Sequence, residues 1–415
     1  MRVLKKIFGI LVKSIATITI IALIAITATS ISPIYDFEKP APFTGPDIFN
    51  PYKNIDKEAS QTAKANSGIW KKANFHVHTR VKGILNECDY WPAEVYQRLE
   101  KLGYDIVTFS NHNELTTHPF DSTLQVNVYE HGYNLFKFHK LVFGSKEVNR
   151  FDHLLPALAS QKQFQFGMLG KESDIIQYNH PLRTTGTSKS HMEKLGGYDI
   201  MELDCGKSTE NEFWDWALSA GHYSFGLAND DLHYPDCSDK IARRCNFLFS
   251  PSTEWRDVAR TLREGGYYSM RLPDYGSGDW EQKYAANSNL PHITSIGVNG
   301  DTIYLSLSQK AEKIVAYGSE HRTLVELSNA DRVDYLLAHN EPYARFVIYF
   351  DSGEVIYTNP FARYDKSLGD YPTTNSEHSV NITLTILYNL LLSALCGVIL
   401  VAISSLWRKR DKQKR

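Results

Sequence analysis

Cysteine is scarce in this chain, five in 415 residues, which excludes a disulfide-built scaffold. Cys396 lies inside a long apolar run. Cys237 and Cys245 either close a short loop or stay free as buried thiols, and the spacing of Cys88, Cys205, Cys237 and Cys245 matches no zinc-ribbon pattern. An excess of one charge is lacking too: the formal net charge is −2, so no nucleic-acid partner is expected. No internal repeat, extended low-complexity tract or Gly-x-Ser-x-Gly elbow occurs, so neither a solenoid nor elbow-serine chemistry is indicated.

Charge is also absent from both ends of the chain. After Arg2, Lys5, Lys6 and Lys13, no charged residue occurs from Ser14 to Tyr35. That stretch is long enough to cross a hydrocarbon core ~30 Å thick at ~1.5 Å per residue. A signal peptide cleaved after the small residues Ala28, Thr29 and Ser30 is the rival reading; the length favours an uncleaved anchor. Ser379 to Trp407 is again uncharged and is followed by the basic tail Arg408–Arg415. Cationic flanks mark the cytoplasmic side. Both termini are therefore expected in the cytoplasm, with two spans in the cell membrane and the residues between them outside.

The expected organisation is an N-terminal anchor (1–35), a proline-rich stalk (36–70), a catalytic region (71–270), a small β domain (271–375) and a C-terminal span with its tail (376–415). In the third of these, strand-like runs alternate with amphipathic helical patterns. Strands are expected at Asn74–His78, Asp105–Ser110, Leu141–Val148, His153–Ala159, Ile175–Asn179, Tyr198–Leu203, Tyr223–Ala228 and Cys245–Phe249. Helices are expected at Ala93–Leu102, Glu212–Ala220 and Trp255–Glu264. Such alternation describes an α/β fold with parallel strands, and seven or eight units suggest a closed or nearly closed (βα)7–8 barrel. Beyond Arg271, short strands separated by Asn299–Gly300 and Ser352–Gly353 turns read as an all-β, sandwich-like domain packed between barrel and membrane.

Potential metal ligands gather at the strand ends. In Phe75–His76–Val77–His78 the two imidazoles face one side of a strand, and Asp231–Leu232–His233 repeats the geometry with an oxygen ligand. One such pair alone means little, since 15 histidines are present. But His112, Glu147, His153 and His180 also stand at the ends of expected strands, where barrel enzymes place catalytic groups. For any one histidine a hydrogen-bonded or surface role is the ordinary reading; the whole ring suits two or three divalent ions such as zinc, manganese or iron.

Taken in order, His76–Val77–His78, Ser110–Asn111–His112, Glu147, His153–Leu154–Leu155, His180–Pro181 and Asp231–Leu232–His233 resemble the motifs of the PHP (polymerase and histidinol phosphatase) superfamily, particularly its CehA/McbA-like metallohydrolases. The likeness covers about residues 70–270 and extends to Glu341–Pro342–Tyr343–Ala344–Arg345 and Tyr357–Thr358–Asn359–Pro360. The resemblance implies a distorted PHP-type barrel. It also implies a metal set of His76, His78, His112, Glu147, His153, His180, Asp231 and His233, with Glu147 bridging ions. Asn111 stands where the family has Asp, removing a charge behind the ligands. A family acid after the H-x-H pair corresponds to Glu87 or Asp89.

What the resemblance implies chemically is hydrolysis by metal-activated water, with His180 or His233 expected to protonate the leaving group; Arg183, just after His180–Pro181, either holds a phosphate or carboxylate or is a surface arginine. Phosphoester hydrolysis of a small-molecule or envelope-derived substrate is the first reading. Carboxylic or carbamate ester hydrolysis is the enzymatic alternative, and a non-catalytic metal- or ligand-binding envelope module the other; turnover in a metal-loaded sample separates these. No protein partner can be inferred.

Overall fold

In the computed structural model, residues 2–55, 69–82, 86–206, 208–209, 211–273, 279–372 and 378–408 are described. The polar half of the expected stalk (56–68) and the basic tail beyond Arg408 lie outside the described residues. Two helices, Arg2–Thr29 and Ile382–Arg408, contain apolar stretches of 23 and 21 residues. Each is long enough to cross a membrane. They lie side by side: Asn389 accepts from the Ser32 amide at 3.3 Å and donates to its carbonyl at 3.1 Å. Just beyond, Tyr35–Asp36 pairs antiparallel with Ser379–Val380.

The following prolines prevent a helix but not burial. Phe43, Phe49 and Tyr52 are buried, and Asp47–Phe49 pairs with Phe361–Tyr364. This part of the expected stalk is therefore stitched onto the body by its aromatic residues.

Nine strands frame the site: β1 (Ile69–Asn74), β2 (Ile106–Val107), β3 (Val128–His131), β4 (Lys140–Phe143), β5 (Ile175–Tyr178), β6 (Ile200–Cys205), β7 (Phe225–Ala228), β8 (Arg244–Ser250) and β9 (Tyr267–Arg271). Helices Pro92–Lys101, Ala159–Leu169, Asn211–Ser219 and Trp255–Glu264 connect successive strands. β1 pairs parallel with β2, and β6 parallel with both β5 and β7. β4 runs antiparallel to β3 and to β5. Single parallel bridges, His112–Glu130 and Val77–Leu232, join the end of β2 to β3 and the end of β1 to the segment after β7.

A second sheet continues from β8 and β9 through β10 (Ile293–Asn299), β11 (Thr302–Gly318), β12 (Arg322–Leu336), β13 (Tyr343–Tyr349), β14 (Val355–Thr358) and β15 (Phe361–Tyr364). β9 hydrogen-bonds to β14 across the expected boundary at residue 271. The C-terminal β region therefore extends the sheet through the backbone instead of packing as a separate layer. The strand expected at His153–Ala159 is absent: Pro156 interrupts it, and Ala159 opens a helix whose Gln161 side chain accepts from the Leu158 amide at 3.0 Å. The helix Trp280–Ser288, capped by Asp279, had no counterpart in the sequence reading.

Candidate metal centre

The alternation of β1 continues past Asn74. Phe75 and Val77 point into apolar cores, so His76 and His78 project to the opposite side. The Leu232 amide donates to the His76 carbonyl at 3.1 Å, and the His78 amide to the Leu232 carbonyl at 2.9 Å. These bonds place Asp231 and His233 beside the histidine pair. Asp231 and His180 both adopt positive φ, 49° and 28°, a strained backbone for non-glycine residues that the surrounding hydrogen bonds must hold.

Four atoms converge. His76 Nε2 lies 3.2 Å from Glu130 Oε2 and 3.1 Å from Asp231 Oδ1. His78 Nε2 lies 3.3 Å and 3.2 Å from the same two oxygens. Ligands bound at about 2.0–2.1 Å stand roughly 3.0 Å apart in octahedral and 3.4 Å apart in tetrahedral geometry. The observed separations fall in that range. His76 Nε2 and both ring nitrogens of His78 are buried without a hydrogen-bond partner, as expected of groups arranged around an ion instead of one another.

Glu130 faces two ways. Its Oε2 also approaches His112 Nε2 at 3.0 Å, while Oε1 lies 3.1 Å from His139 Nδ1 and 3.4 Å from His180 Nε2. A third group forms where Glu87 Oε2 lies 3.4 Å from His78 Nδ1, 3.3 Å from His112 Nε2 and 3.9 Å from His233 Nε2. The donor set is nitrogen and carboxylate oxygen throughout, suited to zinc, manganese or iron.

Glu202, wholly buried on β6, orients this array. Its Oε1 accepts from His76 Nδ1 at 2.9 Å and from Asn229 and Gln177, and its Oε2 accepts from the His180 amide at 3.0 Å. That bond fixes the ring so that, with a metal bound, the proton would stay on Nδ1 and the Nε2 lone pair would face the ion beside Glu130 and Asp231. Burial alone would raise the pKa values of Glu130 and Asp231, but the surrounding imidazoles hold both well below the usual carboxylate range. Against burial, the same carboxylates lift His76 well above its ordinary value and His78 to about 9. Burial wins at His112, lowered to about 3, and at His139 and His233, also lowered.

Of the expected ligands, the fold brings together His76, His78, His112, His180, Asp231 and His233, and excludes Glu147 and His153. For Glu147 the reason is strand direction; for His153 it is the absence of the expected strand. β4 is antiparallel to its neighbours, and Gly144, with φ +76°, turns the chain away at its far end. Glu147 therefore lines a separate cavity with Arg150 and Glu172, and the start of β4 delivers His139. His153 is buried elsewhere, its Nδ1 against the Thr29 carbonyl at the end of the N-terminal helix.

Glu130, His139 and Glu202 were missed. Val128–Tyr129 are strand-favouring residues directly before Glu130, and Glu202 is an acid inside an apolar strand; both were legible signals. Of the two loop acids, Glu87 joins the site. Arg183 pairs with Asp231. Asn111 accepts from the Thr79 amide at 2.8 Å and donates to the Thr79 and Thr116 hydroxyls, each at 2.7 Å. It thus fixes the exit of the H-x-H strand without facing a ligand.

The class these features define is a histidine–carboxylate metal centre. No protein-family profile matches the chain, and no curated protein does. Among solved structures, a two-domain protein containing a predicted PHP-like metal-dependent phosphoesterase from Bacteroides vulgatus is 15% identical, with a TM-score of 0.38, over 78% of this chain and 100% of that one. A lesion-specific endonuclease from Pyrococcus furiosus is 14% identical, with a TM-score of 0.35, over 48% of this chain and 57% of that one. At these scores a shared fold is not established, and the site stands on its own geometry.

Proposed function

We propose that the chain is a metal-dependent hydrolase, a phosphoesterase of the CehA/McbA-like PHP type, anchored by two spans with its site outside the cytoplasm and both termini inside. The bridged ring of strands is read here as a distorted PHP-type barrel. The observation that carries the proposal is Glu130, whose two oxygens face different groups of imidazoles, the arrangement needed to bridge ions. His76, His78, Glu130 and Asp231 would hold one ion; His139 and His180 face the other oxygen of Glu130, while His112 shares the first with His76 and His78; Glu87 and His233 offer a third position. Bound divalent ions supply an acidified water and neutralise charge on the ester. Arg183, pinned by Asp231 and still partly exposed, is placed to hold an ester oxygen. His233, at the solvent edge with its Nδ1 on the Asp231 carbonyl at 2.7 Å, either serves at that third position through Nε2 or, with Nε2 protonated and no third ion, passes a proton to the departing oxygen.

The test uses the full chain in detergent. Bound metals are measured, and phosphodiesters, phosphomonoesters and carboxylic esters are screened with added manganese or zinc. Phosphoester turnover that disappears, together with metal, in the His76→Ala/His78→Ala double variant is expected. Turnover of carboxylic esters alone would replace the substrate class, and stoichiometric metal without any turnover would favour a binding module. Activity surviving the double change would refute the site.

A further inference from the structure

We propose that the substrate is a membrane phospholipid with an anionic headgroup, presented to the metal centre by the bilayer that holds the two terminal helices. The proposal rests on the hydrolase and two-span readings above and names the substrate class of that site.

The first observation is how closely the end of the N-terminal span is tied to the site. Thr29, its last residue, meets His153 through its carbonyl, and its hydroxyl accepts from the Leu154 amide at 3.3 Å. The Leu154 carbonyl accepts from the Leu135 amide at 3.1 Å, and Asp152 accepts from the Tyr133 amide at 3.0 Å. Tyr133 donates its hydroxyl to the His112 carbonyl at 3.0 Å, with its ring 5.0 Å from the His112 ring. Two short segments therefore connect the span end to a candidate ligand. A second attachment sets the same height: Gln161 donates to the Ser30 carbonyl at 3.2 Å and to the Tyr388 hydroxyl of the C-terminal helix at 3.4 Å.

Leu135, Phe151 and Leu158 lie on these segments and are 67%, 41% and 40% exposed. Single exposed apolar residues need no explanation. Three on the segments bonded to the end of a span are placed to enter the interface.

The second observation lies beyond Asp231. A cavity of about 850 Å³ is lined by Arg183, Lys240, Arg243, Arg244 and Arg271 and by Asp230, Asp231 and Asp239, five cations against three carboxylates, with Arg183 paired to Asp231 and Lys240 to Asp239. Asp230 accepts the backbone amides of Ala242, Arg243 and Arg244, each at 2.8 Å, and so fixes the loop that brings Arg243 to the wall. Leu182, on the same cavity, belongs to a loop joined to the Leu135 loop by the Thr185 amide and Phe136 carbonyl at 2.7 Å. Leu182 thus puts an apolar residue on the cavity wall next to the Leu135 loop, and on the rest of that wall cations outnumber carboxylates.

A soluble phosphoester uses only the cationic side. A phospholipid uses both, its acyl chains remaining in the bilayer and its anionic headgroup entering the cavity. In the reaction, a water oxygen bonds to phosphorus, one P–O ester bond breaks and the departing oxygen takes the water's proton. One water is consumed, and a phosphomonoester and an alcohol result.

The test uses the full chain, manganese-loaded in nanodiscs or vesicles of phosphatidylglycerol or phosphatidylcholine, with bis-p-nitrophenyl phosphate as the soluble ester. Phosphatidylglycerol should turn over about tenfold faster than phosphatidylcholine. Leu135→Glu/Phe151→Glu should lower phosphatidylglycerol turnover about tenfold while leaving the soluble ester within about twofold. Soluble turnover without lipid turnover, or equal losses on both, overturns the proposal and leaves the hydrolase reading standing. No turnover of any ester overturns both. A depth measurement is independent of activity: a fluorophore on Leu135→Cys, in a Cys237→Ser/Cys396→Ser background, should be quenched more by lipid-borne than by aqueous nitroxides. The reverse order overturns the proposal.

Discussion

Two buried charge clusters in this chain are built from similar residues and end in different states. Around Asp215, Arg345 donates from Nε at 2.8 Å and Nη2 at 2.5 Å, the Tyr343 hydroxyl at 3.0 Å, and His321 completes the carboxylate's partners. The guanidinium also lies over the Trp214 and Tyr317 rings. Around Glu130 and Asp231 the charges are just as buried, yet five ring nitrogens, His76 Nε2, His78 Nδ1 and Nε2, His112 Nδ1 and His180 Nδ1, have no hydrogen-bond partner. A closed polar network joins the Asn211–Ser219 helix to β13; an open one is arranged for something to enter.

The largest test of this contrast is Glu130→Gln. The amide keeps the shape and removes the anion, so bound metal and turnover should both collapse, by roughly 4 kcal/mol or more in kcat/KM, with little change in the metal-free melting temperature. Elemental analysis and kinetics on one sample check this. Metal retained in full would mean that Glu130 is not a ligand.

Next is Arg345→Met, which strands the Asp215 charge and should cost about 3–5 kcal/mol of stability without changing metal stoichiometry. Its pH dependence has a definite sign. Burial pushes the Asp215 pKa up, but Arg345 and His321 bring it below the ordinary value. In the native chain this stabilisation is therefore present above about pH 3.9 and is lost as pH falls through the lower folded pKa. Without Arg345, burial prevails and Asp215 protonates at higher pH, so the variant's deficit should narrow as pH falls toward 4. Denaturant titrations across that range measure it; a constant deficit would mean that the pair is not the source.

A smaller loss is expected for Glu202→Gln, which keeps the packing but weakens the hold on His76: metal affinity should drop about 10–100-fold, read by competition with a chelating dye. The smallest effect belongs to Asn111→Asp. The Thr79 and Thr116 hydroxyls can turn to donate, so the change should cost about 1 kcal/mol or less and leave metal stoichiometry intact. A full loss of metal would place Asn111 closer to the ions than its hydrogen bonds indicate.

The two regions were not equally legible. His76, His78, Asp231 and His233 could be read because the two-residue repeat of a strand is local, and an i, i+2 pair must share a face whatever else the chain does. The Asp215–Arg345 pair spans 130 positions and had no sequence signal beyond the resemblance of the Glu341–Arg345 segment. Glu147 was misplaced because every strand was taken to run the same way, and His153 because it was taken to open a strand that Pro156 interrupts.

By itself, the sequence determined the two apolar helices, the alternation of strands and helices, and the chemistry at the ends of β1 and β7, because each depends on composition or on contacts a few residues apart. Only the tertiary structure decided that β4 runs backwards. That direction puts His139 in place of Glu147, with Glu130 at the centre; His153, on no strand, packs against the helix end instead of in the site. Strand polarity is set by which distant strands pair, and no short window of sequence records that choice.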